Sequence, residues 1–126
     1  MIDLVRTLGT TKQGPEIYLA VPPPLMARRV YGMNYTVINS VFPTLIPAIA
    51  KANGINASHV IDVFDALGGS DLKQFPRGGC TLENAKSAAK CEYFCSSTQS
   101  WSCDQCHPDD IGYHEVAVTM KAGLGL

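Results

Sequence analysis

The sequence has no run of basic residues, no charge excess of either sign and no stretch of the roughly eighteen apolar residues that a membrane helix needs. Ten Lys and Arg stand against eleven Asp and Glu, for a formal charge of -1. Without a basic patch there is no electrostatic footprint for nucleic acid or for an anionic membrane surface, and neither partner is expected. The opening Met1-Ile2-Asp3-Leu4-Val5-Arg6 places an acid where a signal peptide has a basic region followed by an apolar block. No export signal is expected on this chain. Also lacking is any serine in a recognisable nucleophile setting. What the 126 residues do have is 46% hydrophobic content, enough for a small core in one domain or in part of one.

Cysteine is present and concentrated. Cys80, Cys91, Cys95, Cys103 and Cys106 all fall in a Ser-, Gly- and Lys-rich stretch at about 78–106, which reads as a loop that needs staples. Asn34-Tyr35-Thr36 and Asn56-Ala57-Ser58 are glycosylation acceptor patterns. Together with the cysteines they favour a secreted, extracellular glycoprotein with disulfides. Two metal readings compete. Cys103-Asp104-Gln105-Cys106-His107 has the spacing of covalent haem attachment, but Pro108 pushes His107 away from helical angles, and Met120 is the sole downstream thioether to serve as axial ligand. Cys91-x-x-x-Cys95 and Cys103-x-x-Cys106 could supply four thiolates to zinc, yet neither pair has the Gly-rich knuckle of a zinc ribbon. Disulfides are the expected state, with no metal and no cofactor.

Apolar residues at Ile2, Leu4, Val5 and Leu8 predict a first helix. Residues 15–21 read as a buried strand closed by Pro22-Pro23-Pro24, which cannot donate to a ladder. Between Asn34 and Asn53, Val37, Ile38, Val41, Phe42, Leu45, Ile46 and Ile49 recur at helical spacing, so a helix is expected there with kinks at Pro43 and Pro47 and a stop at Gly54. Val60-Ile61-Asp62-Val63-Phe64 reads as a second strand. Strand, helix and strand make a right-handed crossover with parallel strands, and the class is α/β. A short helix is expected at 82–90 and a closing helix at 110–121. The ligand crevice of such a sheet lies beyond the carboxyl ends of its strands.

Asp104 and His107 stand three residues apart just before Pro108 and the closing helix. An aspartate so placed can take the hydrogen bond of one ring nitrogen and leave the other free to accept a proton. The bland alternative is an Asp that caps a turn or the helix start, beside an exposed His. The order of elements, ending in Asp-x-x-His-Pro-Asp-Asp-x-Gly-Tyr at residues 104–113, resembles the SGNH or GDSL hydrolase family, whose last block has the form Asp-x-x-His-Pro before a final helix. The resemblance spans nearly the full chain, and residues 104–113 are its specific part.

That resemblance implies a three-layer α/β/α sandwich of SGNH (flavodoxin-like) type with parallel strands, of which residues 1–126 would be the carboxyl-terminal portion. It implies an ester hydrolase in which Asp104 orients His107, and His107 serves as general base toward a serine and general acid toward the leaving alcohol. The family's Gly-Asp-Ser block and its Gly-x-Asn-Asp block have no counterpart here. Leu8-Gly9-Thr10-Thr11 is not the asparagine block, and in Gly68-Gly69-Ser70-Asp71 the order is wrong, so Ser70 reads as a turn residue. The expectation is a small acyl-ester substrate, acetylated carbohydrate first, with the serine supplied by a missing amino-terminal half or a partner chain, and with the isolated chain inactive. The alternative is a noncatalytic binding or structural module of the same fold.

Overall fold

The computed structural model describes residues 1–8, 14–28, 30–70, 91–95 and 105–126. In chain order these form helix α1 (Ile2–Arg6), strand β1 (Leu19–Val21), a π-helical turn (Val37–Val41) running into helix α2 (Phe42–Ala52), and a 3-10 turn (Ala57–His59). Strand β2 (Val60–Asp62), helix α3 (Val63–Ala66), a second 3-10 turn (Cys91–Tyr93) and helix α4 (Asp110–Leu124) follow. The expected helix at 82–90 lies outside the described residues, as do Cys80, Cys103 and Asp104. No helix among the described residues is long and apolar enough to cross a membrane.

The two strands pair in parallel, with Leu19 opposite Val60, Ala20 opposite Ile61 and Val21 opposite Asp62. Both are shorter than their apolar runs. The prolines stop β1, as expected. The run Val60–Phe64 does not continue as a strand, because the Asp62 carboxylate accepts the Asp65 N–H at 2.9 Å and starts α3. Among the described residues the architecture is a small α/β fold with a two-stranded parallel sheet.

The helix expected between Asn34 and Asn53 forms, and its prolines shape it. Asn34 accepts the Val37 N–H at 3.2 Å at its start. Pro43 falls in the first turn of α2, where a missing N–H costs little, and the chain upstream widens into the π-helical turn. The helix closes as anticipated at Gly54, whose φ of 65° lets Ile55 N–H reach the Ala50 carbonyl at 2.9 Å and Gly54 N–H reach Lys51 at 3.1 Å. Ile46 and Ala50 turn inward, while Val41, Leu45 and Ile49 form an exposed apolar stripe.

The core comprises Met26, Ile61, Val63, Leu67, Cys91, Phe94 and Cys95, with Val116 and Met120 of α4 packed against it. The inner face of α4 reads Gly112, Val116, Met120, Gly123, a helical repeat whose two ends carry no side chain. A Cβ on Gly123 would stand 2.6 Å from Ile61 Cγ1, and one on Gly112 would overlap the Tyr93 carbonyl oxygen and sit 2.7 Å from Pro108 Cβ. Each glycine costs the helix about 0.5–1 kcal/mol relative to alanine. The close approach they permit seats α4 on the core. Replacing Gly112 by Ala is expected to destabilise the fold by about 1–3 kcal/mol, read as a lowered thermal midpoint, because the obstacle is backbone and cannot rotate away. An unchanged midpoint would mean that α4 is seated elsewhere.

Candidate functional site

The segment leaving β1 is buried through Pro24, Leu25 and Met26, and buried backbone needs partners. Asn39, on the π-helical turn, provides them for Leu25. Its carbonyl oxygen accepts the Leu25 N–H at 2.9 Å, and its amide donates to the Leu25 carbonyl at 2.7 Å. One side-chain amide thus does what a neighbouring strand would do. At the next residue, Met26 N–H donates to the Gln105 carbonyl at 2.8 Å. That bond brings the loop at 105–107 to the carboxyl-end side of the parallel pair, where open α/β sheets hold ligands.

The far side of the loop is anchored as firmly. Asp109 N–H donates to the Tyr93 carbonyl at 2.8 Å, and the Asp109 carboxylate accepts from Ile111 and Gly112 N–H, both at 3.0 Å. Asp109 therefore caps α4 and supports its positive end. Pro108 is buried between them. His107 stands exposed on a short segment pinned at Gln105 and Asp109. Asp104, its expected partner, lies outside the described residues.

A residue that the sequence does not advertise meets His107. Val30 to Met33 form a tight turn, closed by Met33 N–H to the Val30 carbonyl at 2.9 Å, with φ of 51° at Tyr31 and 71° at Gly32. Left-handed angles at both central positions are those of a type I′ turn. Glycine adopts them freely, but a tyrosine there is strained by about 1–3 kcal/mol, and such residues cluster at functional sites. Tyr31 is 73% exposed, and its ring lies 5.7 Å from that of His107 at 57°. Gly32 in the sequence marks the turn. Nothing marks the left-handed tyrosine before it.

Ser70 is exposed just beyond α3, and Ser40 is exposed on the π-helical turn. Ser96, Ser97, Ser100 and Ser102 lie outside the described residues. His59 is half-buried and stacks on Tyr18 at 4.2 Å and 20°. Tyr18 and His59 directly precede the first paired positions, Leu19 and Val60, which explains the stack and places it at the amino end of the sheet, away from His107. Among the described residues no group of three or more His, Cys, Asp or Glu could hold a metal ion.

No family model matches this chain, and no curated protein or solved structure does. The site is read from its own geometry. Asn accepts left-handed angles, so Tyr31→Asn removes the ring without forcing the turn. The expected outcome is a folded variant in which the His107 ring proton resonances shift, since an aromatic face has left its surroundings. Unmoved His107 resonances would mean that the two rings do not meet in solution.

Proposed function

We propose that this chain is the carboxyl-terminal part of a serine ester hydrolase of SGNH type, a three-layer α/β/α sandwich in its complete form, acting on small acyl esters and on acetylated carbohydrate first. The observation that carries the reading is His107, exposed on a loop pinned between the exit of β1 and the cap of α4. In that role His107 takes the proton of a serine hydroxyl as it attacks the ester carbonyl, then returns it to the leaving alcohol. Asp104, three residues before it, orients the ring. The serine and its oxyanion donors come from an amino-terminal half or a partner chain. Tyr31 offers an aromatic face to an acyl or sugar group beside His107.

The test is hydrolysis of a small aryl acetate. The 126-residue chain alone is expected to match the buffer background. The protein extended by its amino-terminal half is expected to turn over, and His107→Ala is expected to lower that rate by about 10²–10⁴-fold. Turnover by the chain alone, abolished by His107→Ala, would place a nucleophile among its own serines and overturn the account of a missing half. A folded, extended protein without turnover would favour a noncatalytic module.

The same reading makes the protein a secreted glycoprotein with a disulfide-stapled loop. What supports the staples is that Cys91 and Cys95 are both buried in the core, one turn apart on either side of Tyr93. A cystine beside the Tyr93 carbonyl would hold the anchor of the His107 loop against thermal opening. Alkylation before reduction is expected to leave Cys91 and Cys95 unlabelled in the intact-mass spectrum. Stoichiometric zinc in the purified protein, or covalent haem absorbance, would overturn this.

A further inference from the structure

A cavity of about 630 Å³ opens beside the Tyr31 turn, lined in part by Arg28, Gly32, Asn34, Tyr35, Thr36 and Ser40. That volume is of the size that holds a small ligand. We propose that this cavity is a binding site for a small hydroxylated carboxylate, of which a hexuronic acid is the type, gripped by Arg28 and by the hydroxyl groups around it. The site goes beyond the ester chemistry proposed for His107 and does not depend on it.

The charge comes first. Arg28 is exposed, has no carboxylate partner among the described residues, and lies 5.9 Å above the ring of Tyr35. A guanidinium held by a cation–π contact still has its N–H groups for a ligand, and their fork matches a carboxylate with two parallel hydrogen bonds. Among the described residues the cavity wall contains no acid to compete. The hydroxyls come second. Those of Tyr35, Thr36 and Ser40 make no hydrogen bond among the described residues. The Asn34 side-chain oxygen is engaged with Val37 N–H, which leaves its amide hydrogens to donate. Among the described residues, a cation with no carboxylate partner beside uncommitted hydroxyls and an amide complements a ligand with one negative charge and several hydroxyl groups. It is a poor match for a neutral apolar molecule.

Asn34 also stands in an Asn-x-Thr acceptor pattern, and a glycan on its amide nitrogen would fill the same cavity. The proposal therefore requires Asn34 to be unmodified, with Asn56, exposed on a separate turn, as the acceptor that carries any glycan.

The test is an amide chemical-shift titration of the 126-residue chain with D-glucuronate, D-glucose and inorganic phosphate, together with a glycopeptide map of the secreted protein. Glucuronate is expected to give saturable shifts confined to residues 28–40, with glucose and phosphate at least about ten-fold weaker. Arg28→Gln is expected to weaken glucuronate by about ten-fold or more, with Arg28→Lys intermediate and Ser40→Ala a smaller loss, each variant keeping the parent spectrum elsewhere. Equal binding of glucose or of phosphate, no saturable shift, an unaffected Arg28→Gln, or a glycan on Asn34 would each overturn the proposal. Because no ester is cleaved, failure here leaves the hydrolase reading standing, and failure of the hydrolase assay leaves this site standing.

Discussion

The approach of the first turn of α4 to the Tyr93 carbonyl is the constraint on which the rest of this molecule depends. Gly112 permits it, Asp109 N–H bonds that same carbonyl at 2.8 Å, and the Asp109 carboxylate closes the end of the helix. Because α4 is seated there, Val116 and Met120 reach the core, and Gly123 meets Ile61 of β2. The loop before α4 inherits its position from the same anchor. His107 owes its place to packing and hydrogen bonds made by its neighbours in the chain.

A second set of contacts works from the sheet. Three prolines end β1, and the buried backbone beyond them would be an unsatisfied stretch without the Asn39 amide on Leu25 and the Gln105 carbonyl on Met26. These bonds join the π-helical turn, the exit of β1 and the His107 loop into one unit. Tyr31 and the Arg28 cavity sit on the chain that crosses between them. Strain at Tyr31 persists because both flanks of its turn are held, and its ring is spent on His107 instead of on the core.

The small sheet leaves features that a larger body would cover. Each strand is paired on one side only among the described residues, and Val41, Leu45 and Ile49 of the long helix face outward together. Two strands seldom hold a sheet alone, and an exposed apolar stripe beside them is the complement of another packed layer. Both features suit the proposed amino-terminal half or partner chain.

Much of this was legible in the residues alone. Helical spacing from Val37 to Ile49 predicted the crossover helix, Gly54 its end, the prolines the end of β1, and the βαβ order the parallel pairing. These are local signals, carried by side-chain periodicity, by φ restrictions and by missing donors. The closing helix after Pro108 was legible as well. Tertiary structure alone decided that Tyr31 faces His107, that Asn39 stands in for a strand, and that Arg28, with no carboxylate partner among the described residues, lines a cavity. Each of these joins groups whose meeting depends on how the chain turns between them. The inner face of α4 was hidden for a further reason. A hydrophobic pattern records side chains, and the two contacts that seat this helix are made by glycines, where the decisive feature is the side chain that is absent.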